Sequence, residues 1–86
     1  MGLNNKQTRI LQQIFDDPVR SDIVWDDIES LFRGAGGLIT QGNGSRVRVK
    51  LNGVKAVFHR PRPEKETDKG AVKSVRKFLS EAGVSP

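Results

Sequence analysis

The chain has 86 residues, 35% of them hydrophobic, which is enough for one hydrophobic core and excludes a second. Fifteen Lys and Arg against ten Asp and Glu leave a net charge of +5, which favours an acidic polymer or partner. With no cysteine and one histidine, a disulfide scaffold, thiolate chemistry and a tetrahedral zinc site are excluded, and no apolar run is long enough to span a membrane.

The charge is unevenly spread. Residues 1–44 carry four cations and six anions, residues 45–86 eleven cations and four anions, so a basic C-terminal surface on a more neutral support is expected. The opening Met-Gly-Leu-Asn-Asn-Lys lacks the apolar block of a secretory signal, and a cytoplasmic location is expected.

In chain order, Ile10, Leu11, Ile14 and Phe15 recur at helical spacing between a cap at Asn4 or Asn5 and a stop at Pro18, predicting a first helix. Trp25, Ile28, Leu31 and Phe32 form a second stripe, with Asp26 and Asp27 near its positive end and Gly34, Gly36 and Gly37 closing it. A short strand is expected at 38–41, then a Gly42-Asn43-Gly44 turn. Residues 45–51 alternate cation and aliphatic, and Asn52-Gly53 supplies a two-residue type I′ turn into a partner strand at 54–59. Pro61 and Pro63 end that strand, and the segment through Asp68 is expected to run extended over the surface. Val72, Val75, Phe78, Leu79 and Ala82 line a last helix closed by Gly83, with Lys73, Arg76 and Lys77 directed away from the core. The predicted order is α-α-β-β-β-α, an α+β fold with one sheet face packed on helices and the other open.

A two-residue loop sets the register: Leu51 opposite Val54, Lys50 opposite Lys55, Arg48 opposite Val57 and Arg46 opposite His59. Alternation then puts Val47, Val49, Leu51, Val54, Ala56 and Phe58 on the core side. Arg46, Arg48, Lys50, Lys55, Val57 and His59 fall on the open side. Opposed lysines repel unless an anion lies over them, and a phosphate backbone is such an anion. With no aromatic on that face, a base-stacking platform is not expected.

His59 is the candidate catalyst. Crowding by Arg46, Arg60 and Arg62 disfavours a protonated ring, so a neutral imidazole able to accept a proton is expected. Attack of a ribose 2′-hydroxyl on its own phosphodiester needs such a base, and it needs a fixed cation, here Arg46, for the charge that builds on phosphorus. Other chemistry is poorly served. A nucleophile, base and acid set lacks its second histidine or cysteine, no glycine loop for phosphate fits, and Asp16, Asp17, Asp26, Asp27 and Glu29 read as caps and solvated charges rather than metal ligands. No cofactor or metal is expected.

The segments Gly42-Asn43-Gly44-Ser45-Arg46-Val47, Asn52-Gly53, Phe58-His59-Arg60-Pro61-Arg62-Pro63-Glu64-Lys65-Glu66 and the closing run 72–84 together resemble the HicA toxins of bacterial HicAB toxin-antitoxin pairs. The likeness covers roughly residues 20–84 of a single 1–86 domain, with 1–19 as a helical extension. It implies a double-stranded-RNA-binding-domain-like α-β-β-β-α fold, metal-independent mRNA cleavage, and neutralisation by a HicB-type antitoxin. Two positions depart from the family pattern: many HicA toxins have Gly-Ser-His where this chain has Gly44-Ser45-Arg46, and Arg62 stands where relatives often have a second histidine. Cross-strand pairing of Arg46 with His59 would return an imidazole to the same pocket from the neighbouring strand. The expected site is therefore His59 and Arg46 for catalysis, with Arg48, Lys50, Lys55, Arg60, Arg62, Lys73 and Arg76 holding RNA. The same charges also fit a non-catalytic RNA-binding module, or a basic interaction domain that docks an acidic partner.

Overall fold

The structure, a computed structural model, describes residues 2–86. Its elements run α1 (Asn5–Ile14), β1 (Ile23–Val24), α2 (Trp25–Gly34), β2 (Leu38–Gln41), β3 (Arg46–Leu51), β4 (Val54–His59), β5 (Glu66–Thr67) and α3 (Lys69–Glu81). Strands β2, β3 and β4 form a three-stranded antiparallel sheet in that order, and β1 pairs with β5 in a separate two-stranded ribbon. The α+β class with its α-β-β-β-α arrangement is thus present, with α1 added in front and the ribbon inserted. The ribbon corrects one expectation. The segment after Pro63 runs extended as expected but does not stay on the surface throughout, because Glu66 and Thr67 pair with Val24 and Ile23 and Thr67 is buried. Among the described residues no helix is long and apolar enough to cross a membrane.

Local chemistry explains the helix ends. Asn4 and Gln7 form a reciprocal capping box, Gln7 N–H donating to Asn4 Oδ1 at 2.7 Å and Asn4 N–H to Gln7 Oε1 at 3.0 Å. The α2 start has no side-chain cap; instead the Trp25 N–H donates to the Lys65 carbonyl at 2.9 Å, tying the proline loop to the helix. Helix α3 begins on Asp68, which accepts from the Ala71 N–H at 2.7 Å. It ends in a Schellman motif: Gly83 at φ 77° donates to Ser80 O, and Val84 donates to Leu79 O.

Helices α2 and α3 pack on one sheet face, and α1 packs against both of them. Ile10, Leu11 and Ile14 of α1, Trp25, Ile28, Leu31 and Phe32 of α2, Val47, Val49, Leu51 and Phe58 of the sheet, and Val72, Val75, Phe78 and Leu79 of α3 make one buried cluster. Within it Phe32, Phe58 and Phe78 contact one another with ring centroids 5.5–5.7 Å apart. Helix α1 is part of this core. Arg76 of α3 does not point into solvent as expected; its guanidinium turns back to donate to the carbonyls of Ile14 (3.0 Å) and Asp16 (2.8 Å) at the end of α1.

The hairpin register is the one the two-residue turn predicts, from Leu51 opposite Val54 to Arg46 opposite His59. Asn52 (φ 50°) and Gly53 (φ 83°) take the left-handed conformations a type I′ turn requires. The Asn52 side chain also donates to the Ala82 carbonyl at 2.8 Å, pinning the turn to the end of α3. Asn52→Ala should therefore cost about 1–2 kcal/mol, combining left-handed strain with a lost hydrogen bond. Urea unfolding measures it, and a change within about 0.3 kcal/mol would show that neither contribution holds the turn.

Candidate nucleic-acid interface on the open sheet face

Along β3, burial alternates exposed and buried over Arg46–Leu51. On β4, Lys55, Val57 and His59 are exposed while Phe58 is buried. Five basic side chains, Arg46, Arg48, Lys50, Lys55 and His59, therefore share one uncovered face. Their spacing is set by the backbone ladder. The Arg60 N–H donates to Ser45 O at 2.9 Å, so Ser45 and Arg60 are a hydrogen-bonded pair, and the next pair inward, Arg46 and His59, is the non-hydrogen-bonded kind in which side chains stand closest. Lys50 with Lys55 and Arg48 with Val57 follow the same parity. The Arg46 stem also lies across Gly42, where an added Cβ would meet Arg46 carbons at 3.1–3.2 Å.

Strand β2 contributes residues that sequence reasoning did not place on this face. Leu38 pairs with Lys50 and Thr40 with Arg48, and both are exposed. The four-residue connection from Gly42 to Ser45 has no single turn type that sets β2 against β3, so no register signal marked them. Together with Arg48, Lys50, Lys55 and Val57 they border a groove of about 550 Å³.

The remaining predicted cations lie elsewhere. Arg60 is half-buried and aims its guanidinium at Glu29, with Nε 2.7 Å from Oε2 and an NH2 3.1 Å from Oε1. Glu29 is only 4% exposed, which corrects its reading as a solvated charge. The Trp25 indole N–H also donates to its Oε2, and Arg33 approaches at 3.5 Å. Burial opposes ionisation of Glu29, yet the hydrogen bonds from Arg60 and Trp25 and the charges of Arg60 and Arg33 outweigh it, holding the carboxyl below its ordinary range. The same contact raises Arg60 above the usual arginine value. Arg62 is exposed in the proline loop, Lys73 is exposed on α3 behind the covered sheet face, and Arg76 holds α1. The structure thus gathers Arg46, Arg48, Lys50, Lys55 and His59 and leaves Arg60, Arg62, Lys73 and Arg76 off their face.

The family described as HicA toxin of bacterial toxin-antitoxin matches residues 25–84, from the first residue of α2 to just beyond α3. The chain belongs to the HicA toxin family. No curated protein and no solved structure matches it. The HicA match begins after α1, so the helix whose Ile10, Leu11 and Ile14 enter the core lies outside the matched region. Membership in the HicA family carries with it an antitoxin partner.

Proposed function

We propose that this HicA-family protein binds mRNA on the open sheet face and cleaves it without a metal, in the cytoplasm, until a HicB-type antitoxin neutralises it. Residues 20–84 form the working core in this reading, with 1–19 as its helical extension. The observation that carries it is the pairing of the chain's single histidine with Arg46 at a close, exposed, non-hydrogen-bonded position beside three more cations.

His59 accepts the proton of a ribose 2′-hydroxyl as its oxygen attacks the adjacent phosphorus. Arg46 stabilises the charge that accumulates on the phosphoryl oxygens. The bond from phosphorus to the 5′-oxygen then breaks, the leaving oxygen takes a proton from solvent, and the imidazolium returns its proton to solvent. The products are a 2′,3′-cyclic phosphate and a 5′-hydroxyl.

Purified protein incubated with mRNA in EDTA should cut at an undiminished rate and leave those two ends, read by end-labelling and mass spectrometry. Loss of cleavage in EDTA, or products bearing a 5′-phosphate, would overturn the mechanism.

A further inference from the structure

Strand pairing sorts the outward positions of the sheet into three rows: Leu38, Lys50 and Lys55; Thr40, Arg48 and Val57; and Gly42, Arg46 and His59. Successive rows are about 7 Å apart, because alternate residues of a strand are separated by two 3.4 Å rises. The middle column is wholly cationic. Beside it stand Leu38, diagonal to Arg48, and Val57, directly opposite Arg48, 63% and 53% exposed, the large hydrophobic side chains left open among the described residues. Both border the 550 Å³ groove, which lies next to the row that holds Arg46 and His59.

A double helix offers an outer surface of phosphate and sugar with its bases stacked inside, so two aliphatic side chains amid cations would gain nothing from it. An unpaired base has broad apolar faces that need cover, and its phosphates still need cations. Charge and apolar area are interleaved here within one groove.

We infer that this groove is a base subsite: Leu38 and Val57 cover the unpaired base of the nucleotide next to the scissile phosphate, while Arg48 and Lys50 hold the strand's following phosphates. The inference rests on the function proposed above and adds to it two specificity-determining residues. Neither is charged, so their contribution is independent of counterion release.

The test uses His59→Ala protein as a cleavage-silent background and fluorescence anisotropy with a short labelled oligoribonucleotide, free or annealed to its complement, over a range of salt. Leu38→Thr with Val57→Thr puts a β-branched, strand-compatible but polar side chain at both positions. It should weaken single-strand binding about tenfold, or about 1.4 kcal/mol, leave duplex binding unchanged, and leave the slope of log K against log salt unaltered. Arg48→Gln should instead flatten that slope by about 0.7, the value of one phosphate contact on a single strand. Unchanged single-strand affinity in the double variant, or equal loss on both RNAs, would overturn the subsite while leaving RNA binding itself intact. If the parent binds neither RNA, the function proposed above falls, and the subsite with it.

Discussion

His59→Ala should lower single-turnover RNA cleavage about 10²- to 10⁴-fold, the range a positioned general base supplies. Folding should be untouched, because the imidazole stands exposed at the end of β4 and lies outside the buried cluster. Urea unfolding of the variant should agree with the parent within about 0.5 kcal/mol. RNA affinity should also persist, since Arg46, Arg48, Lys50 and Lys55 keep their places on the face. The variant would then bind without cutting, and its expression would no longer arrest growth. Equal cleavage by parent and variant would sink the assignment of the base, and a comparable loss of stability would show that the ring acts through the fold.

The second large effect belongs to Glu29, a carboxylate that touches no expected RNA contact except Arg60. Glu29→Ala removes the acceptor for Arg60 and for the Trp25 indole at once. Breaking a buried pair costs about 3–5 kcal/mol; because a quarter of the Arg60 side chain reaches solvent, a loss of about 2–3 kcal/mol is expected here. That is a large share of the roughly 5–15 kcal/mol that holds a small domain folded. The sign of the pH effect follows from the lowered pKa. The unfolded chain binds this proton more readily than the folded one, so the stabilisation is complete above the ordinary carboxylate range near 4.5 and disappears as pH falls through the lower folded value. Urea titrations of the parent and Glu29→Ala at pH 7 and in increasingly acid buffer should show a wide gap that narrows as the carboxyl protonates. A gap that stays constant with pH would mean the side chain contributes by packing rather than by charge.

Glu29 also shows where sequence reading stops. A carboxylate one turn after Trp25 looks like a solvated helix charge, and its partner Arg60 lies 31 positions away beyond three strands. Arg76 is similar, since its acceptors on α1 are 60 and 62 positions distant. Charged side chains leave no periodic trace of such partners. Strands β1 and β5 escaped for another reason: two residues each are too few for any alternation to register. The hairpin, by contrast, was legible down to individual pairs. A two-residue turn leaves no slack, so placing Asn52-Gly53 placed Arg46 opposite His59. The helical stripes of α1, α2 and α3 were equally readable, because each carries its apolar residues at a single period and ends at a cap or glycine.

The strict two-residue period of β3 and β4 separates two kinds of evolutionary freedom. Odd positions of β3 answer to the hydrophobic interior and can hardly drift. Even positions meet only what lands on them, and the outward residues of β4 pair with these same positions. A lineage can therefore retarget the working surface, or carry an imidazole from one strand to its neighbour, without renegotiating how the chain folds.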